Sequence, residues 1–167
     1  MKLHLRHLYE IDLEGFWRMF FDREYTRRLY EEGLAFSRCQ ELELKRSDNG
    51  EITRKLRIEP KFEAPAVVAK ILGDRFYYVE SGRFDPAQKR WSYSLTPSVL
   101  ADKVLLSGSI WAEPRGPGSI DRLAEIDISV RVLGVGGILE GFIEKQNKDG
   151  YLKAADFSNR WVKEPRP

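Results

Sequence analysis

The sequence predicts an α+β fold in which a curved antiparallel sheet of about seven strands wraps around a long C-terminal helix, with two short helices after the first strand. Three observations predict it. Alternating apolar and polar residues recur in several short segments, turn signals separate these segments, and the last apolar segment has helical spacing. Such a sheet has to cover its apolar face, and the final helix is the only predicted element long enough to do so.

The N-terminal part is predicted to form one strand and then two helices. Apolar residues alternate over 3–11, which is typical of a strand with one buried face. Asp12 suits the N-cap of a helix over 13–21, where apolar residues follow the 3.6-residue period. A second short helix is predicted over 24–33, with a glycine at its end.

Six further strands are predicted as three hairpins. Asn49-Gly50, Asp85-Pro86 and a Pro/Gly-rich segment at 114–118 mark the three turns. A short helix is predicted to begin at Pro65, which suits the first helical position, and to end at Gly73. A final helix from about Gly136 to Val162 would span roughly 40 Å. The six strands are predicted at 38–46, 51–59, 74–84, 90–96, 103–113 and 122–132.

The composition indicates one domain covering 1–167, with 42% hydrophobic and 12% aromatic residues. The 28 basic and 26 acidic side chains leave a net charge of only +2, which is too even to indicate nucleic-acid binding. The single cysteine, Cys39, excludes an internal disulfide and fits a reducing cytosol. We expect a cytoplasmic protein, since the sequence shows neither a signal peptide nor a run of about 18 apolar residues.

Signals for catalysis and metal binding are thin. His4 and His7 are three apart on a strand, so they point to opposite faces and cannot share a metal ion. The acidic neighbours Glu41 and Glu43 disfavour a thiolate at Cys39. The sequence therefore predicts no catalytic residue, no metal site and no cofactor.

Polar and small residues interrupt the apolar stripe of the final helix, where Gln146, Gly150 and Lys153 lie between large apolar residues. An unpaired polar group sealed against a sheet costs about 1–3 kcal/mol, and a glycine costs about 1 kcal/mol relative to alanine. Either this part of the stripe lines a cavity that holds water or a polar ligand group, or the helical phase is about 40° off and these residues face solvent. The large apolar residues are Leu139, Phe142, Ile143, Phe157 and Trp161.

Two basic side chains also interrupt apolar strand faces. Arg54 does so in the strand at 51–59, and His7 does so in the first strand. Each alone is explained by an ion pair or a hydrogen bond at the edge of the core. Together with Gln146 and Lys153, they would supply donors in an apolar pocket, which suits an amphiphilic ligand with an anionic head. The aromatic residues expected to bind its apolar part are Phe20, Tyr77, Tyr93 and Phe142.

The predicted order of elements is that of the START-like (SRPBCC, helix-grip) superfamily, which includes lipid-transfer domains, pollen allergens of the birch type and polyketide cyclases. The chain resembles a bacterial START-like family of unknown function. Two stretches are also similar to the PRELI family of phospholipid-transfer proteins. They are APAVVAKILGDRFYYVESGRFDPAQKRWSYSLT at 64–96 and VLGVGGILEGFIEKQNKDGYLKAADFSNRWV at 132–162.

The PRELI resemblance implies a tunnel for an anionic phospholipid, with Arg23 of the FFDRE segment near the lipid head group. It also implies a mobile lid. The lid segment is short, apolar and bounded by Pro and Gly, so it is able to hinge, or else it is a small helix packed permanently on the sheet. The basic pair before the lid maps only loosely onto Arg57 and Lys61, and no counterpart of the mitochondrial partner protein is evident. The implied lid residues are Pro65, Val67, Val68, Ile71 and Leu72.

The leading hypothesis is non-catalytic binding of a hydrophobic or amphiphilic ligand, with an anionic phospholipid as one form of it, between the sheet and the C-terminal helix. Arg23, Arg54 or Lys153 would hold its acidic group. One alternative is a polyketide-cyclase-like enzyme with His7 as its general acid or base. Another is a regulatory protein-interaction domain that exposes an apolar patch at 67–72. The expected partners are a small hydrophobic or lipid ligand and, transiently, a membrane, and the chain is expected to be a monomer or a weak dimer.

Overall fold

The computed structural model of the protein describes residues 1–166 and confirms the predicted order of elements. Residues 1–166 form a seven-stranded sheet and four α-helices, and α2 continues into a π-helical turn at Leu29–Gly33. The elements are β1 Lys2–Tyr9, α1 Leu13–Phe20, α2 Arg23–Arg28, β2 Arg38–Arg46, β3 Ile52–Glu59, α3 Ala66–Leu72, β4 Tyr78–Asp85, β5 Arg90–Pro97, β6 Val104–Gly116, β7 Ser119–Val130 and α4 Gly136–Trp161.

All neighbouring strands of the curved sheet are antiparallel, in the order β1-β7-β6-β5-β4-β3-β2. The first and last strands of the chain are therefore neighbours, with Leu3 opposite Ile126. Helices α1 and α2 carry the chain from β1 at one edge to β2 at the other. Both helices begin at aspartate caps, because the Asp12 carboxylate accepts from the Gly15 amide at 2.8 Å and that of Asp22 from the Tyr25 amide at 2.7 Å.

Two glycines in the middle of the sheet make room for aromatic rings. A Cβ at Gly82 would lie 2.0 Å from the ring of Trp91, and a Cβ at Gly108 would lie 2.7 Å from the hydroxyl oxygen of Tyr93. Each ring therefore lies against the bare backbone of a neighbouring strand, and Trp91 is completely buried. Gly82 and Gly108 therefore lie on the faces of β4 and β6 that point towards these buried rings.

Helix α4 packs against the sheet near β1 and β7, and its two halves differ. In the C-terminal half, Phe157 and Trp161 are buried, and the ring of Trp161 lies 5.6 Å from that of Tyr25. In the N-terminal half, Leu139 and Phe142 pack with Val68 of α3. In residues 1–166, no helix is long and apolar enough to cross a membrane.

Several predicted boundaries need correction. Strand β1 ends at Tyr9 because the N-cap of α1 is only three residues further on. Strand β4 begins at Tyr78, four residues later than predicted, and Pro65 is the N-cap of α3 rather than its first residue. Such shifts are ordinary, since local sequence determines the ends of elements less strongly than their type.

Candidate ligand-binding cavity

A cavity of about 250 Å³ lies between the sheet and α4. Its walls come from α1, α2, the π-helical turn, α3, the end of β1, the inward faces of β3 to β7, and the N-terminal two thirds of α4. Most of the lining is aromatic or aliphatic, and a few polar side chains interrupt it. These polar residues are Thr26, Arg54, Glu80, Arg122, Gln146 and Asn147, with the hydroxyls of several tyrosines.

The polar and small residues of α4 lie along this cavity. Gln146, Gly150 and Ala154 line it, and a Cβ built at Gly150 would have no neighbouring atom within 4 Å. The stripe continues through Ala154, so Lys153 lies about 100° further around the helix and is exposed. The predicted inward position of Lys153 is therefore wrong, whereas Gln146 and Gly150 lie where the cavity interpretation placed them.

Arg54 enters the cavity from β3 and is 4% exposed. Its guanidinium donates to the Phe20 carbonyl at 2.7 Å and to the Thr26 hydroxyl at 3.3 Å, which fixes the end of α1 against α2. It also lies 3.9 Å from a carboxylate oxygen of Glu80. Both sequence-based interpretations of Arg54 therefore apply. Its side chain makes hydrogen bonds within the protein, and it also lines the pocket.

Glu80 on β4 is a buried carboxyl group in the cavity wall. The Tyr30 hydroxyl donates to one of its oxygens at 3.4 Å. Burial raises the pKa of Glu80 above its ordinary value, and the charge of Arg54 and the Tyr30 hydrogen bond offset only part of that rise. A carboxyl group in this setting is able to exchange a proton with a bound molecule.

Arg122 on β7 is the second buried guanidinium of the cavity and is 5% exposed. It donates to the Tyr9 hydroxyl at 2.8 Å and to the Tyr151 carbonyl at 3.0 Å. Its third neighbour is the His7 ring, with 3.0 Å between Nη2 and Nδ1. Burial, and then the charge of Arg122, lower the pKa of His7, so its neutral ring accepts this hydrogen bond. His7 therefore accepts a hydrogen bond from Arg122 and does not line the cavity.

Two tyrosine hydroxyls meet in the cavity. The hydroxyls of Tyr93 on β5 and Tyr151 on α4 lie 2.7 Å apart, which joins the sheet to the middle of the helix. The guanidinium of Arg122 lies 4.5 Å from the centre of the Tyr151 ring. Burial raises the pKa of Tyr151 to about 12, although Arg122 opposes the rise, so both hydroxyls keep their protons at neutral pH.

Three of the four predicted aromatic residues line the cavity, namely Phe20, Tyr93 and Phe142. The fourth, Tyr77, does not. Its neighbour Tyr78 takes the inward position, and the guanidinium of Arg57 lies 3.9 Å from the Tyr77 ring centre. Because successive strand residues point to opposite faces, a shift of one residue moves the ring out of the cavity.

Arg23 is also outside the cavity. Its side chain is 79% exposed and bonds to the Glu41 carboxylate, with distances of 2.8 Å and 3.0 Å. On this placement, it cannot reach a molecule between the sheet and α4 without a rearrangement of α2. Cys39, nearby on β2, is buried, and burial raises the pKa of its thiol to about 12, which agrees with the expected unreactive cysteine.

Helix α3 contains most of the predicted lid. Val68 is buried against Leu139 and Phe142, while Leu72 lines the cavity. Val67, Ile71 and Leu72 are half-buried, and Pro65 is exposed. Helix α3 therefore covers one end of the cavity, and its movement as a lid stays a prediction.

Residues 4–162 match the family described as Protein of unknown function (DUF2505). The chain belongs to the DUF2505 family. None of the curated proteins matches its sequence.

Solved structures share the fold of this DUF2505 chain at low sequence identity. ZhuI aromatase/cyclase from Streptomyces sp. R1128 is 13% identical, with a TM-score of 0.66 and coverage of 97% of this chain and 96% of that one. Norcoclaurine synthase from Thalictrum flavum is 16% identical, with a TM-score of 0.66 and coverage of 99% and 87%. A START superfamily protein from Mycobacterium smegmatis is 16% identical, with a TM-score of 0.61 and coverage of 95% of each chain. The DUF2505 chain therefore has the START-like, helix-grip fold.

Sequence reasoning missed Glu80 and Arg122, although a signal for each exists. Arg122 belongs to the alternating row that continues through Ala124 and Ile126, and it interrupts that row as Arg54 interrupts β3. Glu80 likewise lies between Tyr78 and the inward Gly82. Both signals are weak. Arg122 lies near the end of its row of alternating apolar residues, and the next residue on the same face as Glu80 is a glycine.

Proposed function

We propose that this DUF2505 protein binds a compact hydrophobic or amphiphilic molecule in the cavity between the sheet and α4. The observation that carries the proposal is the pattern of α4, where Phe157 and Trp161 are buried at the C-terminal end while Gln146, Gly150 and Ala154 line the cavity. A glycine in a helix interior costs about 1 kcal/mol relative to alanine, so a cavity kept open at this cost indicates use of the space.

The physical driving force for such binding is removal of apolar surface from water. Each buried CH₂ group contributes roughly 0.8 kcal/mol, and aromatic walls add favourable ring contacts. The polar groups of the lining would orient the molecule rather than supply most of the affinity.

The volume of the cavity favours a small ligand. Pockets for drug-sized molecules hold about 300–1,000 Å³, and the 250 Å³ found here lies just below that range. The anionic phospholipid implied by the PRELI resemblance would require α3 to move away from Leu139 and Phe142. Norcoclaurine synthase, which shares the fold, has been determined in complex with dopamine and hydroxybenzaldehyde, and such one-ring compounds suit a cavity of this size.

Native mass spectrometry of gently purified protein, followed by organic extraction, tests the proposal. We expect a discrete small molecule that remains bound to the wild-type chain. In Gly150→Leu the new side chain would fill the cavity, because nothing lies within 4 Å of the added Cβ, and the molecule should be lost. Gly141→Leu is the matched control, since Gly141 is on the same helix, is equally unobstructed and faces solvent.

A bare polypeptide mass, together with no uptake from a mixture of small aromatic and fatty compounds, would refute ligand binding. Retention of the molecule by Gly150→Leu would move the binding site away from this cavity. Equal loss in both variants would indicate a general effect of leucine in α4 rather than filling of the cavity.

A second candidate function is an enzyme of the cyclase type, and Glu80 is the observation that favours it. For this candidate function we propose Glu80 rather than His7 as the acid or base, because Glu80 lines the cavity and has a raised pKa whereas His7 faces Arg122. Glu80→Gln separates the two functions once a bound molecule is identified. Conversion by the wild type that disappears in Glu80→Gln, with binding retained, supports an enzyme, and binding without conversion by either supports a carrier.

The interaction-domain alternative depended on an exposed apolar patch at 67–72. In the structure Val68 is buried, Val67 and Leu72 pack against the cluster that contains Leu139 and Phe142, and Ile71 is half-buried. That observation gives the alternative no support.

A further inference from the structure

Two guanidinium groups and one carboxyl group line the cavity, and they are not equally paired. Arg54 has the carboxyl group of Glu80 within ion-pair distance, at 3.9 Å. The neighbours of Arg122 are a tyrosine hydroxyl, a backbone carbonyl and the neutral His7 ring. Within the described part of the chain, no carboxylate lies within ion-pair distance of Arg122.

The acidic residues nearest to Arg122 are engaged elsewhere. Asp121 precedes it on β7 and therefore points to the opposite face of the sheet, where it pairs with Arg115 at 3.1 Å and Arg6 at 3.6 Å. Asp156 on α4 is exposed and acts on His7, whose pKa it raises slightly against the larger effects of burial and Arg122. The cavity therefore contains a positive charge that the protein itself does not compensate.

A guanidinium cannot relieve this imbalance by losing a proton, because it stays charged at any physiological pH. Burial of an uncompensated charge is expensive, and an anion brought beside it recovers part of that cost. A ligand with one negative charge would complete the pair that Arg122 lacks.

The tyrosine pair supplies a hydrogen-bond donor next to this charge. When one of the Tyr93 and Tyr151 hydroxyls donates to the other at 2.7 Å, the accepting hydroxyl keeps its own O–H free. In residues 1–166, neither hydroxyl has a further hydrogen-bond partner. An O–H donor beside a buried guanidinium is suited to an anionic oxygen, since hydrogen bonds to charged acceptors are the stronger ones.

We infer that the ligand of this cavity is a compact monoanion, with an apolar body and one acidic group held beside Arg122 and the Tyr93–Tyr151 pair. The inference rests on the proposed function and specifies the chemical class of its ligand. It assigns the acidic group to Arg122 rather than to the exposed Arg23 and Lys153. The carboxyl of Glu80 beside Arg54 makes that part of the lining the less favourable place for an anion.

Two one-ring probes with the same apolar body test the inference, and titration calorimetry measures their binding. 4-Propylbenzenesulfonate carries one negative charge, and propylbenzene is the corresponding molecule without it. In a cavity without a free cation the uncharged probe should bind more tightly, because the sulfonate has to lose water. We expect the wild type to reverse this order and to bind the sulfonate at least about tenfold more tightly, as one good bond to a charged group provides.

Variants locate the charge. Arg122→Met should abolish the preference for the sulfonate, so that the uncharged probe binds at least as tightly as the sulfonate. Arg122→Lys should keep part of the preference, because the charge remains while the fork of donors is lost. Lys153→Met removes one positive charge from the exposed face of α4 and should change neither affinity. Gly150→Leu should abolish binding of both probes, which confirms that they occupy the cavity.

The outcomes separate the two proposals. If neither probe binds the wild type, the proposed function fails and the inference fails with it. If the uncharged probe binds as tightly as the sulfonate or more tightly, ligand binding stands and the monoanion inference is overturned. The same conclusion follows if Lys153→Met removes the preference. The wild-type comparison decides the question even if Arg122→Met does not fold.

Discussion

The two ends of the contact between α4 and the sheet are built from the same helix and the same strands, yet one is sealed and the other is open. At the sealed end, Tyr25, Phe157 and Trp161 pack ring against ring. At the open end, Gln146 and Gly150 face the cavity. The backbone is helical throughout, so the size of the side chains on one stripe decides where the domain is solid and where it has room for a ligand.

Each end also contains a pair of hydroxyls, and their surroundings differ. At the sealed end, the Tyr25 and Ser158 hydroxyls lie 2.6 Å apart, and Ser158 is completely buried. At the open end, Tyr93 and Tyr151 lie 2.7 Å apart in the cavity wall. In the first pair the Ser158 hydroxyl is engaged within the protein, since it also donates to the Ala154 carbonyl at 2.6 Å. Both hydroxyls of the second pair lie in the cavity wall, where water or another molecule can bond to them.

The largest expected effect comes from loss of a ring at the sealed end. Trp161→Ala removes a side chain that is 4% exposed and should lower the free energy of unfolding by about 3–5 kcal/mol, because the neighbouring rings cannot fill the space. Urea unfolding measures the change. A loss below about 1 kcal/mol would mean that this end is not close-packed.

The hydroxyl pairs give the next largest effect. Ser158→Ala leaves the buried Tyr25 hydroxyl without its partner and should cost about 1–3 kcal/mol in urea unfolding. Tyr151→Phe breaks the corresponding pair at the open end and should cost less than about 1 kcal/mol, since water can bond to Tyr93. Equal costs at the two ends would contradict the distinction between them.

A smaller effect of opposite sign is expected from filling the open end. Gly150→Leu replaces a helix-interior glycine in free space and should raise the free energy of unfolding by about 1 kcal/mol. Gly141→Leu should give a similar gain from helix propensity alone. Clear destabilisation of Gly150→Leu, with Gly141→Leu unchanged, would show that the space at the open end is smaller than described.

The smallest expected difference is a dependence on pH. The folded state raises the pKa of Glu80 above its ordinary value of 4.5, so the stability that Glu80 contributes is fully present below that pH and is lost as the pH rises towards its folded pKa. Relative to the wild type, Glu80→Gln should therefore become more stable as the pH rises above 4.5. Urea unfolding of both proteins between pH 4 and pH 8 measures the difference.

Glu125 is the control for this experiment. Its side chain is 31% exposed, and its hydrogen bond with Lys2 lowers its pKa, so the stability that Glu125 contributes is lost only as the pH falls below about 4.5. Glu125→Gln should therefore show no rise in relative stability between pH 4 and pH 8. A rise in relative stability for Glu125→Gln, or a flat profile for Glu80→Gln, would contradict the assignment of Glu80 as a buried, reluctantly ionised carboxyl.

The sequence by itself determined the order of elements, because each signal is local. Asp12 caps α1 with a side chain three residues from the amide it accepts, and Asn49-Gly50 turns β2 into β3 without help from the rest of the chain. The alternation of β3 also placed Arg54 on the inward face. A period of two or of 3.6 residues is a property of the chain that tertiary contacts need not supply.

Only the tertiary structure decided which polar residues share the cavity. Tyr78 rather than Tyr77, and Ala154 rather than Lys153, line it, because a shift of one residue reverses a strand face and turns a helix position by about 100°. Within residues 1–166, Arg122 has no carboxylate partner, and no single segment of the sequence predicts this, since it depends on the neighbours that β1, β7 and α4 bring together. The local sequence pattern determines which residues share a face of a helix or strand. Long-range packing determines which groups lie next to each buried charge.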